Sequence, residues 1–199
     1  LEVGSASQGY QTGKIIEKTE KVLLKDRPDI VLVQGDTNSV LGGVIAAKKL
    51  GIKIGHVEAG LRSFDGTMPE ETNRILADHC SDFLFVPSKI SQKNLVKEGI
   101  DKKKIFVTGN TIVDSVKKNL ENSHNNLLEK YNVKPKKFFL VSLHRQENVD
   151  NPKRFSDIIK GLKQIGGKYD FPVVFPIHPR SEKMIKKLKI NLEGLKVIK

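Results

Sequence analysis

The sequence predicts an α/β protein built on parallel sheets. Short apolar runs, each followed by a small or polar turn and then a segment with helical spacing, repeat as β-α four times, the pattern of a parallel, doubly wound sheet. These runs break into charged residues at their C-terminal ends, where an open α/β sheet binds its ligands. Composition then shifts over residues 119–137, rich in Asn, Lys and Glu with Pro135, and a second α/β run follows.

Residues 1–9 are small and polar and read as loop. Tyr10–Lys25 has Ile15, Ile16, Thr19, Val22 and Leu23 at helical spacing. After Arg27-Pro28-Asp29, Ile30–Gln34 (IVLVQ) has the continuous apolar character of a strand buried on both faces. Gly35–Ser39 is a turn. Val40–Leu50 is a helix of small residues closed by Gly51, and its Gly42, Gly43, Ala46 and Ala47 suit close packing on the sheet. Lys53–Val57 is the next strand and 58–68 a loop. A helix starts at Pro69, with Glu70 and Glu71 in its first turn. Phe83–Val86 is a strand, Ser88 caps a helix to about Glu98, Ile105–Thr108 is a strand, and Ile112 to about Glu129 is helical. In the second run, 138–143 (FFLVSL), 171–177 and 195–198 are strands, and 154–165 and 182–188 are helices. That run holds few β-α pairs for a sheet, and the sequence lacks an initiator Met, so the chain reads as a fragment of a longer protein, truncated at both ends. The expected division is a first Rossmann-like domain over 1–110, lacking its first strand, and a linker helix with a partial second domain over 111–199.

The formal net charge is +12, mostly lysine spread along helices as in Lys117-Lys118 and Lys186-Lys187. Aromatic content of 6%, no Trp and no nucleic-acid module speak against nucleic-acid binding. The charge suits an anionic substrate, and equally a lysine-rich surface. No apolar run reaches the roughly 20 residues of a membrane span, and Leu1–Gly4 does not open a signal peptide. A single cysteine, Cys80, permits no internal disulfide and fits a reducing compartment; it reads as a core residue.

Several polar clusters carry chemistry. Asp36, in QGDT, either caps the following helix or places a carboxylate in the crevice as a proton donor or acceptor. Glu58, in HVEAGLR, ends the next strand; burial there would bring its proton affinity toward the working pH. His56 beside it reads as a satisfied strand-end histidine. Arg62 suits either a phosphate or a carboxylate partner. Glu70 and Glu71 either favour their helix dipole or join the acid/base set. In SLHRQEN, His144 and Arg145 follow a buried strand and suit a general acid or a phosphate contact. PIHPR repeats this arrangement with His178 and Arg180. The histidines have no metal-site spacing, and neither a dinucleotide nor a P-loop glycine motif occurs.

Taken in order, QGDT, HVEAGLRS, PEETNR, GNTIVDS, SLHRQEN and PIHPR resemble the non-hydrolysing UDP-N-acetylglucosamine 2-epimerases over nearly the whole chain. The resemblance implies two Rossmann-like domains with the active site in the cleft between them, similar to the B-type glycosyltransferase fold. It implies interconversion of UDP-N-acetylglucosamine and UDP-N-acetylmannosamine: a base removes the proton at sugar C2, UDP leaves to give 2-acetamidoglucal, and UDP adds back. By motif match Asp36, Glu58 and Glu70 carry over as catalytic carboxylates and His144 as the residue at the leaving UDP. Arg62, Arg145, Gln146, Glu147 and His178 are the substrate-binding candidates. No cofactor or metal is implied. The family pattern also implies a cytoplasmic homodimer that serves glycan precursor synthesis. Some bacterial members are activated by UDP-N-acetylglucosamine at a second site, for which Arg145, Gln146 and Glu147 are the candidates here. The family's opening strand with its Gly-Thr-Arg-Pro-Glu turn, and its late Ser-Gly-Gly…Glu-Glu segment, are absent from this sequence, so the isolated chain is expected to be inactive. A hydrolysing 2-epimerase, a silent nucleotide-sugar-binding domain and a B-type glycosyltransferase are the competing readings.

Overall fold

A computed structural model describes residues 1–4, 6–122 and 127–198. The chain falls into two compact units, Leu1–Glu121 and Asn122–Lys199. The division falls at the last residue of the helix that begins at Thr111, so nearly all of that helix goes with the first unit.

In the first unit α1 (Gln8–Asp26) leads into β1 (Ile30–Gln34), followed by α2 (Asn38–Lys49), β2 (Lys53–Val57), α3 (Pro69–Cys80), β3 (Phe83–Val86) and α4 (Lys89–Lys97). A 3-10 turn at Lys102–Lys104 precedes β4 (Ile105–Val107), and α5 (Thr111–Asn122) closes the unit. Of the predicted helix 112–129, residues 123–126 lie outside the described residues. The four strands are parallel and lie in chain order, β1-β2-β3-β4. With no reversal among them, right-handed crossovers put the connecting helices on one face. That face carries the core: Ile54, Leu84, Val86 and Ile105 pack with Val44, Ala47, Ala77 and Leu95 from the helices. The expectation that Ile30–Gln34 is buried on both faces is therefore corrected. β1 is an edge strand with alternating exposure, and Leu32 on the opposite face is 63% exposed.

Two glycines in this layer behave differently. A Cβ on Gly42 would lie 2.5 Å from Ile15 Cγ2, so the small residues of α2 serve its packing on α1 as well as on the sheet. Gly13 of α1 faces open space.

The second unit contains α6 (Leu127–Lys130), β5 (Phe139–Leu140), α7 (Gln146–Val149), α8 (Pro152–Tyr169), β6 (Val173–Pro176), α9 (Pro179–Leu188) and β7 (Leu195–Ile198). Its parallel sheet has the order β5-β6-β7. Phe155, Ile159, Phe175 and Ile185 form the core with Leu143 and Val149. β5 is shorter than FFLVSL suggests, although the Val141 N–H still bonds Val174 O at 2.9 Å. α8 is longer than predicted. The Asn151 side chain caps its start at Pro152, and Gly166 and Gly167 do not interrupt it.

The two glycines predict opposite outcomes. Gly13→Ala raises stability by about 0.5–1 kcal/mol through the lower backbone entropy of the unfolded chain. Gly42→Ala lowers it by about 1–3 kcal/mol, because Ile15 must shift. Urea unfolding of the two variants measures both signs.

Candidate active site

The carboxyl edge of the first sheet is organised by loops that buried charges hold in place. After β1, the Gly35 N–H bonds Val57 O at 3.1 Å, and Asp36 follows. Asp36 does not cap α2; the N-cap is Thr37, without a side-chain bond. The Asp36 carboxylate instead pairs with the Arg74 guanidinium of α3. Asn73 Nδ2 donates to the Asp36 carbonyl at 2.9 Å and to Asn38 Oδ1 at 3.2 Å. Asp36, Glu70 and Asn73 thus share the wall of a cavity of about 650 Å³ with Thr37, Asn38 and the chain's first residues.

Glu58 follows β2 with φ 68°, in the left-handed region. For a residue with a Cβ such backbone costs on the order of 1–2 kcal/mol and persists only where the surroundings impose it. They do so here. The Ala59 N–H bonds Phe85 O at 3.2 Å. Gly60 (φ 76°) has no room for a Cβ, which would lie 2.5 Å from Ser91 O. Its N–H donates to Asp78 Oδ2 at 3.1 Å, and its carbonyl accepts from Asn94 Nδ2 at 3.0 Å. Glu58 is half-buried rather than buried. Its Oε1 accepts from Gln34 Nε2 at 3.3 Å, and Gln34 also reaches Thr111 Oγ1 at 3.0 Å.

The structure corrects the reading of Arg62 as a substrate contact. Its side chain is 1% exposed. Nε and Nη2 donate to Glu98 at 2.7 and 2.6 Å, and Nη1 donates to Asp78 Oδ2 at 2.8 Å and to Leu61 O at 2.7 Å. Burial works against the charge, but the bonds to Glu98 and Asp78 outweigh it and hold the guanidinium above its ordinary proton affinity. Four of the five guanidinium N–H groups are thus spent on the fold, in a side chain buried away from solvent.

Glu71 likewise does more than favour a helix dipole. Buried in the first turn of α3, it accepts from the Ser63 and Phe64 N–H groups at 3.0 and 2.9 Å and from Arg74 at 3.0 Å. Burial pushes its carboxyl up, but these donors prevail and its pKa lies below the ordinary 4.5. Arg74 therefore bridges Glu71 and Asp36, joining the loop after β2 to the turn after β1. In the sequence Arg74 stands out only as the last residue of PEETNR; the Glu71–Arg74 spacing of three residues on one helix is the signal that could have assigned it a role.

In the second unit, Ser181 Oγ of α9 donates to the Leu143 carbonyl, tying the end of the FFLVSL segment to the start of α9. This brings together His144 and His178, ring centroids 5.5 Å apart. His178 caps α9: its Nδ1 accepts the Arg180 N–H at 3.2 Å, so a neutral ring carries its proton on Nε2. Arg145 and Glu147 are exposed and 3.9 Å apart, and Arg180 pairs with Asp150 at 3.5 Å. The Gln146 side chain lies outside the described residues. Two imidazoles and two exposed guanidinium groups, Arg145 just before α7 and Arg180 in the first turn of α9, thus lie on neighbouring segments of this unit.

The family model described as UDP-N-acetylglucosamine 2-epimerase matches residues 1–199. A UDP-N-acetylglucosamine 2-epimerase of Methanococcus maripaludis is 52% identical over 200 residues, covering 98% of this chain and 53% of that protein. One from Methanocaldococcus jannaschii is 49% identical over 205 residues, covering 100% of this chain and 56% of that protein. The crystal structure of the M. jannaschii UDP-GlcNAc 2-epimerase in complex with UDP-GlcNAc and UDP matches with a TM-score of 0.92 at 48% identity, over 100% of this chain and 57% of that one. The chain spans about half the length of these relatives.

Glu71 gives a pH-dependent prediction. Its folded pKa is depressed, so its contribution is present above the ordinary value of 4.5 and is lost as pH falls through the lowered value. Glu71→Gln is expected to cost about 1–3 kcal/mol at neutral pH. Urea unfolding of wild type and variant from neutral to acid pH should show that gap closing below about pH 4.5; a gap independent of pH would contradict the assignment.

Proposed function

The chain belongs to the UDP-N-acetylglucosamine 2-epimerase family, and from that premise we propose that the protein carrying it interconverts UDP-N-acetylglucosamine and UDP-N-acetylmannosamine. The observation that carries this reading is the gathering of three carboxylates at one sheet edge: Asp36 and Glu70 on one cavity wall, and Glu58 in left-handed backbone beside Gly35. Inversion at a carbon needs proton transfer on both faces of the sugar ring, and a single carboxylate cannot reach both. In the proposed reaction one carboxylate takes the proton from C2. The C–H electron pair forms the C1=C2 double bond, and the C1–O bond breaks with its pair leaving on UDP. Re-addition of UDP at C1, with a proton delivered to the opposite face of C2, gives the epimer.

His144, His178 and Arg145 are the groups for the diphosphate, where charge develops as UDP departs. N–H donors preorganised at such a position stabilise the leaving anion. The Nε2–H of His178 is oriented by the cap bond at its Nδ1. Gln146 and Glu147 open α7 directly after Arg145, and the three residues are the candidates for a second, activating UDP-N-acetylglucosamine. Arg62, buried and paired with Asp78 and Glu98, is left out of this reading. A homodimer in the cytoplasm completes the reading. Among the described residues no helix is long and apolar enough to cross a membrane.

The test is incubation of the protein carrying this chain with UDP-N-acetylglucosamine in deuterated water. The expected product has deuterium at C2 with UDP still attached, in both epimers. Stoichiometric free UDP would make it a hydrolysing 2-epimerase, and no deuterium in the sugar would make it a binding protein.

A further inference from the structure

His56 of β2 is wholly buried, and both of its ring nitrogens meet acceptors. Nδ1 lies 2.7 Å from Asp78 Oδ1, and Nε2 lies 2.8 Å from the Gly35 carbonyl oxygen. A backbone carbonyl has no proton to give, so Nε2 must carry one. Asp78 Oδ2 accepts from the Gly60 N–H and from Arg62 Nη1, two donors that favour an ionised carboxylate. An ionised Asp78 then requires a second proton on Nδ1.

Once Asp78 is ionised, charge balance asks for the same proton. Arg62 lies between two carboxylates, Asp78 at 2.8 Å and Glu98 at 2.6 Å. With a neutral His56 and an ionised Asp78 the cluster would hold one unbalanced negative charge around an Asp78 side chain that is 0% exposed. A buried charge without its partner is strongly destabilising. A protonated His56 brings the sum to zero. The other titratable group at the cluster is His79 of α3, 3.5 Å from Glu98 on the exposed rim.

We propose that His56 is an imidazolium, which neutralises the Asp78–Arg62–Glu98 cluster and through its Nε2–H fixes the Gly35 carbonyl, making it a positioning residue for Asp36. Its role toward Asp36 rests on the epimerase reading; its protonation does not. Asp36 is the residue after Gly35, so the peptide that His56 holds is the one that aims the carboxylate.

The first test is nitrogen-15 NMR of the histidine rings in the 199-residue chain without substrate, with His56 assigned by its loss in His56→Gln. Two ring N–H signals with imidazolium nitrogen shifts, unchanged from about pH 6 to about pH 8, are expected, whereas an exposed histidine loses its second proton over that range. A single ring N–H overturns the proposal. The second test is a double-mutant cycle. His56→Gln leaves one negative charge in excess and Asp78→Asn one positive, while the double variant is neutral. The double variant is expected to unfold at a higher urea concentration than either single variant; additive losses overturn the charge-balance argument. In the protein carrying the chain, the folded double variant is expected to lose at least about tenfold in kcat with KM little changed, as misplacement of a reacting group does. Wild-type kcat there removes the positioning role. If Asp36→Asn also keeps wild-type turnover, the failure belongs to the epimerase reading of Asp36, and the imidazolium still stands or falls on the ring signals.

Discussion

The first unit depends on one buried carboxylate. Asp78, near the end of α3, receives His56 from β2 on one oxygen and the Gly60 N–H and Arg62 from the following loop on the other. Arg62 passes the connection to Glu98 at the end of α4, and His56 passes it to Gly35 at the end of β1. Four segments far apart in sequence are thus fixed by one charge that cannot be buried without its partners. The left-handed backbone at Glu58 is a consequence, since the residues on either side of it, Val57 and Ala59, are held by β2 and by Phe85 O. The strain at Glu58 is imposed by bonds made elsewhere.

A second bridge stands in front of this anchor. Arg74 joins Glu71 to Asp36, and Glu71 in turn holds the Ser63 and Phe64 N–H groups. The inner network therefore sets where the loops lie, and the outer one sets how the Asp36 carboxylate is presented to the cavity. The second unit reaches its own arrangement with fewer charges. The Ser181 hydroxyl on the Leu143 carbonyl and the His178 cap of α9 suffice to set two imidazoles side by side. Its exposed arginines remain close to acidic neighbours only at 3.5–3.9 Å, the geometry of weak surface pairs.

Much of this architecture was legible in the sequence. β1, β2, β3 and β7 lie where hydrophobic periodicity puts them, because short apolar runs bounded by turn residues have few alternatives. The ends of those runs also marked the carboxyl edges correctly. The exposed face of β1 could not be read from IVLVQ, since burial depends on which side the helices cover and therefore on strand order. The cap reading of Asp36 failed because an ion pair with a residue 38 positions away outweighs a local N–H. Arg62 was ambiguous for the same reason: Asp78 and Glu98 lie 16 and 36 residues from it, and only the fold brings them together. His56 was read as a satisfied histidine, which it is, but the acceptor character of both its partners is visible only in three dimensions.

In the proposed reaction the carboxylates at this edge transfer the proton at carbon. The most direct measurement is the rate of solvent deuterium entry at sugar C2 in Glu58→Gln, which keeps the size and the Gln34 contact while removing the acid. A loss of about 10²–10⁴-fold, with binding of UDP unchanged, is predicted for a group that moves the proton. Deuterium entry at the wild-type rate would contradict the claim.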